Sequence, residues 1–415
     1  MIIGNSEVQQ KLNDIACADI VVGIPSFNNA STIGHVVRAA SAGLAKYFKD
    51  QRCVLVNSDG GSTDGTPDVT VTAQMDYQTI LIRHPLPPIH RITTPYHGIP
   101  GKGSAFRTIF EIASRLGARA CAVLDSDLRS ITPEWVELLI HPVLSGEYDY
   151  VAPYYLRHKF DGTITNSIVY PVTRALYGKR IRQPIGGDFG FSGKLAEVYL
   201  SKDVWNSDVA RFGIDIWMTT TAICEGFRLC EAFLGAKIHD PKDPGSDLSS
   251  MMMQVVGSLF DLMEVYKGHW RSVRASDRVP RFGFEFEVGV DPIKVDVERM
   301  VSHFRQGLND LDSVWSVMIS PENMKWLRSV GEEPVKRFHL PDELWVRIVY
   351  DIAGSYHRQV MNPEHIIRSM IPLYMGRVAS FVNDNMTSSA REVEAGMERL
   401  CLCFEELKEY LIQRW

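Results

Sequence analysis

The sequence predicts an α/β fold, a mostly parallel sheet with helices on both faces, followed by a mainly helical C-terminal region. Three observations predict it. From Asp19 to His239, short apolar runs that end in Pro, Ser, Asn, Gly or Asp alternate with segments whose apolar residues recur every three or four positions. Past residue 246 that alternation stops, and helical spacing interrupted by prolines takes over. In 415 residues, 45% hydrophobic against 23% charged is the balance of a soluble globular chain, long enough for two or three domains.

Each element has its local reason. "DIVVGIPSFNN" from Asp19 is an apolar run stopped by a Pro/Ser/Asn turn, and "ASTIGHVVRAASAGLAKYF" places Ile33, Val36, Val37, Ala40 and Leu44 on one helical face. "RCVLVNSDGGSTDGT" repeats the pattern, with Thr63 or Asp64 to cap the next element. "QTILIRH" reads as a third strand and "GSAFRTIFEIASRLG" as a helix closed by Gly117. "ACAVLDSDL" is the fourth strand, "EWVELLIHPVLSG" a helix, "YDYVAPYYLR" a strand, and "FRLCEAFLGAKIHDP" a final strand ending at His239. After that come the Met-rich helix "SSMMMQVVGSLFDLMEVYKGHW", an irregular connection "SDRVPRFGFEFEVGVDP", and helices broken at Pro321, Pro334, Pro341, Pro363 and Pro372. The expected domains are therefore 1–246 and 247–415. On the last helix Val393, Met397, Leu400, Phe404, Leu407 and Leu411 alternate spacings of four and three, a narrow seam for core packing or a dimer contact.

The totals exclude several classes. A formal net charge of -6 gives no global basic field to attract nucleic acid or anionic membrane. The start, "MIIGNSEVQQKLND", has no basic segment followed by an apolar one, and no run approaches the ~18 apolar residues of a membrane span, so a cytoplasmic protein is expected. The seven cysteines, Cys17, Cys53, Cys121, Cys224, Cys230, Cys401 and Cys403, include no CxxC pair and read as reduced packing residues.

The chemistry is expected where the fourth strand ends in Asp125 and Asp127. Two carboxylates one residue apart repel, and burial worsens it, so a positive partner is required. Mg²⁺ or Mn²⁺ is the natural candidate, because these hard cations take oxygen ligands from one or two carboxylates and from the phosphates of a substrate. Two neighbouring signals support this. In "HGIPGKGSAF", Gly101 and Gly103 flank Lys102 just before a helix, where backbone N–H groups and a point charge suit a diphosphate. His239, in "AKIHDPKD", ends the last strand of the expected sheet and stands as a third metal ligand.

In this order, "VVGIPSFNNASTIGHVV", "NSDGGSTDGT", "PGKG", "LDSDL", "QPIGGDFGFSG", "FGIDIW" and "IHDP" resemble the GT-A glycosyltransferases that make glucosyl-3-phosphoglycerate, glucosylglycerate and mannosylglycerate. The resemblance covers residues 19–245; the tail with "RVPRF" and "FHLPDELWVRIVYDIAGSYH" looks like the mannosylglycerate synthases more loosely. It implies a GT-A, Rossmann-like fold and retaining, metal-dependent transfer of glucose or mannose from a UDP or GDP sugar to D-glycerate or 3-phospho-D-glycerate, as in compatible-solute synthesis.

The resemblance also implies roles. Pro25, Ser26, Asn29, Asp59 and Gly60 would line the nucleobase and ribose pocket, although glucosyl enzymes often carry an acidic residue where Asn29 stands. Lys102 would sit at the nucleotide, Asp125 and Ser126 at ribose and donor sugar, and Asp125, Asp127 and His239 around the metal. Asp215 would lie at the reacting centre, with Lys102 the other catalytic residue. Arg157, Thr165, Gly186, Gly187 and Asp188 would hold the acceptor. Thr163 stands where the phosphoglycerate enzymes carry an arginine, which favours free glycerate, while His158 and Lys159 are nearby cations that could still serve a phosphate. The competing readings are an inverting transferase using Asp188 or Asp215 as base, and a sugar-phosphate nucleotidyltransferase, whose basic phosphate loop "GIPSFNNAST" does not provide.

Overall fold

The computed structural model describes residues 6–73, 90–95, 101–238, 248–285 and 295–415. The apolar run at Ile20 forms β1 (Ile20–Ser26), fully buried, in the interior of the sheet. Ile20, Val22 and Ile24 face a core that also takes Ile33, Val36, Val37, Ala40 and Leu44 of the helix Ile33–Tyr47 and Trp135, Leu139 and Ile140 of the helix Pro133–Leu144. On the other sheet face Gly23 leaves room for Ile109 of the helix Lys102–Arg115, which a Cβ there would overlap. The two-residue period of a strand thus feeds two helical layers, as a doubly covered sheet requires.

β2 (Cys53–Asp59), β3 (His90–Pro95), β4 (Ala120–Val123) and β5 (Tyr150–Leu156) follow in the chain. β6 (Lys179–Arg180) is a two-residue strand elsewhere, and β7 (Phe189–Ser192) and β8 (Leu229–Ala236) return to the main sheet. β9 (Asp277–Arg278) pairs with β6, and β10 (Arg281–Phe282) adds to the edge of the main sheet beside β8. Among the described residues the main sheet has eight strands in the order β10-β8-β5-β7-β4-β1-β2-β3. β7 runs antiparallel to β4 and β5; the other pairings are parallel.

The mostly parallel sheet, its helices and the helical C-terminal region are those expected. "QTILIRH" lies outside the described residues, among which the strand after β2 is His90–Pro95, and two other details differ. β8 stops at Ala236 and is not the last strand, because Arg281 and Phe282 in the supposed irregular connection pair with Glu231 and Ala232. Pro372 does not end a helix; Pro363–Asn385 runs through it, whereas Pro321 and Pro363 take the first helical turn that proline tolerates.

The chain divides into two compact units, 1–156 with 183–240 and 279–289, and 157–182 with 241–278 and 290–415. A single cut at residue 246 misses this interleaving, since 157–182 joins the helical unit and 279–289 the sheet unit. Within the helical unit Arg174 is wholly buried and is held bidentately by Glu398, at 2.6 and 2.8 Å, and by Glu405 at 2.7 Å. Trp345 donates its indole N–H to the Ser167 carbonyl at 2.8 Å, in a π-helical turn Thr165–Val169. Of the seam residues, Val393, Met397, Leu400, Phe404 and Leu411 are buried within the chain and Leu407 is half-buried, so most of the seam packs in the core. Cys401 is buried and Cys403 half-buried, and both are free thiols.

Candidate active site

The turns after β1, β2 and β4 meet at the carboxyl end of the sheet. Asp59 is nearly buried: its Oδ1 accepts from the hydroxyls of Ser26 (3.0 Å) and Ser62 (2.6 Å), and its Oδ2 from the N–H groups of Gly61 (2.9 Å) and Ser62 (2.8 Å). The Gly60 N–H reaches the Ser26 carbonyl at 2.7 Å. Asn29 Oδ1 accepts from the Phe27 N–H at 3.1 Å and from the Ser126 hydroxyl at 2.8 Å, and Thr32 Oγ1 donates to the Ser126 carbonyl at 2.8 Å. The structure thus connects Ser26, Asn29, Asp59, Gly60 and Ser126 in one network, with Pro25 buried beside it. Asp59 does this as a turn-former of the Asx type. Its four acceptor bonds leave it the frame of the pocket. The aromatic ring the sequence reading passed over is Phe27, 60% exposed at the tip of the β1 turn.

A second network centres on Asp125. Lys102 Nζ lies 2.9 Å from its Oδ1 and Lys237 Nζ 2.6 Å from its Oδ2. Lys237 also donates to the Gly186 carbonyl at 2.8 Å and to Asp188 Oδ2 at 2.9 Å. Asp188 is fully buried; its Oδ1 accepts the Asp125 backbone N–H at 2.7 Å and its Oδ2 the Tyr155 hydroxyl. Lys102 further donates to Asp215 Oδ2 at 3.1 Å and lies 3.1 Å from Oδ1, a buried oxygen that accepts no hydrogen bond. Asp215 stands in the first turn of the helix Ile214–Cys224.

These contacts set the charge states. Burial pushes Asp125 up, but the ammonium groups of Lys102 and Lys237 outweigh it and hold the carboxyl well below the usual range. For Asp188 and Asp215 burial wins: Lys237 and Lys102 offset part of it, the Asp125 charge adds to it, and both carboxyls are raised. Burial disfavours the Lys102 charge, yet Asp125 and Asp215 overcome that and hold the ammonium above its ordinary value. Two ammonium groups therefore face three carboxylates, and Asp127, two residues on from Asp125, is half-buried.

The positive partners of Asp125 in this structure are two lysines, one on each carboxylate oxygen. Among the described residues no three of His, Cys, Asp and Glu cluster as a metal site, and His239 lies outside them. The glycines also act differently from expectation. Gly103 donates its N–H to the Arg211 carbonyl at 3.1 Å, and a Cβ on Gly103 would overlap the Val209 carbonyl. "PGKG" is thus a close-packing motif that aims Lys102, with that N–H unavailable to a phosphate. A Cβ on Gly187, at φ +92°, would overlap Asp125 Oδ2. Gly187 lets its loop close over the Asp125–Lys237 pair, and both oxygens of the buried Asp188 are engaged within the protein.

Arg157 and Thr165 belong to the helical unit. They flank Gly162, whose φ is +65°: a Cβ built there lies 3.9 Å from Arg157 Nη1 and 4.0 Å from Thr165 Oγ1. Arg157 also pairs with Asp161 at 3.6 Å. Lys159 is committed elsewhere, donating to the carbonyls of Asn385 (2.8 Å), Met386 (3.0 Å) and Ser388 (2.9 Å). His158 accepts the Phe160 N–H at 3.2 Å, and burial, with the Lys159 charge, lowers its affinity for a proton. Thr163 shares a hydrogen bond with the Tyr374 hydroxyl at 2.5 Å.

Lys237 and Tyr155 are the site residues that sequence reasoning missed. A lysine two positions before the candidate histidine at a strand end was the available signal, and Tyr155 in a strand reads as ordinary core.

The covered, mostly parallel α/β sheet, with lysines and carboxylates gathered at the carboxyl ends of its strands, is the architecture expected from the sequence. Residues 89–260 match the family model described as the mannosylglycerate synthase GT domain. Among solved structures it is similar to glucosyl-3-phosphoglycerate synthase from Mycobacterium tuberculosis, in complex with Mn²⁺, uridine diphosphate and glucosyl-3-phosphoglycerate, at 21% identity over 62% of this chain and 84% of that one, with a TM-score of 0.44. Mannosyl-3-phosphoglycerate synthase from Rubrobacter xylanophilus is similar at 16% identity over 66% and 82%, with a TM-score of 0.42. No curated protein matches the chain.

Proposed function

We propose that the protein is a retaining hexosyltransferase that moves glucose or mannose from a nucleotide-diphosphate sugar to free D-glycerate. The observation that carries it is the Lys102–Asp125–Asp215 cluster at the end of β4. Lys102 spends two N–H groups on carboxylates and keeps a third for a phosphate oxygen, while Asp215 Oδ1 remains as a buried acceptor for a sugar or acceptor hydroxyl. A divalent cation fits the excess of carboxylates. Asp127 would hold it with donor phosphates, and His239 would be its second protein ligand: Ile238, its chain neighbour, is tied to the turn after Asp127 by bonds of 2.9 Å from Arg129 N–H to Ile238 carbonyl and from Ile238 N–H to Ser130 Oγ. Bound there, Mg²⁺ or Mn²⁺ would neutralise charge on the departing diphosphate. The acceptor oxygen attacks the anomeric carbon on the face that the diphosphate leaves, and the departing phosphate oxygen takes the acceptor's proton, giving retention without an enzyme-bound sugar.

Arg157 would pair with the glycerate carboxylate and Thr165 with a hydroxyl. Free glycerate is favoured over its phosphate because Lys159 is spent on three carbonyls and His158 is held neutral, so neither cation that a dianion would need is available. The test is an assay of UDP-glucose, GDP-glucose and GDP-mannose against glycerate and 3-phosphoglycerate, with the product anomer read by NMR. Turnover on glycerate with the donor's configuration kept is expected. An inverted product, or a preference for the phosphorylated acceptor, would refute the corresponding part.

A further inference from the structure

We infer that Lys237 is the positioning residue of this site: it fixes the Asp125 carboxylate against Lys102 and so determines how Lys102 presents its remaining N–H to the donor. For its kinetic readout this rests on the glycosyltransferase reading above.

The geometry gives Lys237 an internal task. Its side chain is 4% exposed, and three acceptors take its three N–H groups: Asp125 Oδ2 at 2.6 Å, the Gly186 carbonyl at 2.8 Å and Asp188 Oδ2 at 2.9 Å. A fully engaged ammonium does not reach substrate; it locks what it touches. Asp125 is gripped twice by one support, because Asp188 accepts its backbone N–H at 2.7 Å and holds Lys237 on its side chain. Asp188 is itself fixed by the Tyr155 hydroxyl, and the Tyr155 ring lies beneath Lys237 Nζ at 5.1 Å and packs on Trp135 at 5.4 Å between centroids. Only Oδ1 of Asp125 is then left to meet Lys102, at 2.9 Å. The order runs from a rigid core, Trp135 and Tyr155, through Asp188 and Lys237 to Asp125 and finally Lys102. Held by such a second layer, a polar group keeps its productive orientation; left without it, the carboxylate is free to rotate and take Lys102 with it.

The rival role for Lys237 is charge compensation alone, neutralising a buried Asp188. Two variants separate the two roles. Lys237→Met combined with Asp188→Asn removes the ammonium and the buried charge together; Lys237→Arg keeps the charge and cannot offer one nitrogen to three acceptors. Positioning predicts that both melt near the wild-type temperature while kcat falls about 10- to 100-fold and acceptor KM changes less than about threefold, the usual cost of losing a supporting partner. Wild-type kcat in either folded variant overturns the inference. If the wild-type protein turns over none of the sugar nucleotides, the functional reading fails by itself, and Lys237 is judged by the ¹⁵N signal of the Lys102 ammonium. Slow proton exchange there, lost in Lys237→Arg, upholds the inference; an unchanged signal in that variant overturns it.

Discussion

Replacing Lys159 by Met tests whether this lysine serves the fold or the acceptor. In the structure its ammonium closes the carboxyl end of the helix Pro363–Asn385, with bonds of 2.8, 3.0 and 2.9 Å to the carbonyls of Asn385, Met386 and Ser388. Hydrogen bonds to a charged donor contribute about 1.5–3 kcal/mol when buried. Here the lysine is only partly buried, so water replaces part of each bond once the ammonium is gone, and Met retains most of the packing of the aliphatic stem. The interaction of a cation with the helix end adds about 0.3–1 kcal/mol. A net loss of about 2 kcal/mol results, which in a domain of 150–250 residues lowers Tm by roughly 4–8 °C. The assay pairs thermal unfolding with kcat/KM for glycerate and for 3-phosphoglycerate below the new Tm. The expected result is the Tm drop with both kcat/KM values within about twofold of wild type. An unchanged Tm together with a tenfold or greater loss on 3-phosphoglycerate alone would show the lysine reaching an acceptor phosphate, and the preference for free glycerate would fall.

Three further outcomes are expected. Gly187→Ala forces a side chain at φ +92° into the space of Asp125 Oδ2, at a backbone cost of about 1–3 kcal/mol, and should lower kcat more than tenfold in steady-state assays. Asp127→Ala should abolish Mn²⁺- or Mg²⁺-stimulated transfer with an unchanged far-UV spectrum, and His239→Ala should do the same; undiminished activity removes either residue from the cation site. Burial lowers Lys408 to about 8 from 10.5, so between those pH values the unfolded chain holds a proton that the folded chain does not, and stability rises with pH across that window by on the order of 2–3 kcal/mol. Lys408→Met should remove that rise and stabilise the protein below pH 8, less the hydrogen bond Lys408 gives the Val273 carbonyl at 2.8 Å, as read by urea denaturation from pH 7 to 10.

The elements whose cause is local were legible in the sequence. β1, β2, β4 and β5 announce themselves as apolar runs ending in turn residues, and the helices between them carry their periodicity and stops, such as Gly117 at φ +65°. Elements that depend on a distant partner were not. Arg281 and Phe282 have no strand signal of their own and are a strand only because β8 offers them an edge. At the site the same division holds. That Asp125 needed a positive partner followed from electrostatics alone, but the partner's identity did not, because Lys102 and Lys237 stand 23 residues before and 112 after it and meet only through the order of the strands. The glycines of "PGKG" and "QPIGGD" were read as ligand-binding turns; what approaches them in the structure is the chain's own 209–211 segment and the Asp125–Lys237 pair.

The edge pairing of β10 on β8 has a consequence for biosynthesis. β8 is complete at Ala236, but the two residues that cover its outer rim arrive at Arg281. At a translation rate of roughly 5–20 residues per second this leaves an uncovered apolar strand for several seconds on each nascent chain. Truncations placed between these points would make that interval permanent, so fragments ending near residue 246 should precipitate where longer ones that keep Phe282 stay dispersed.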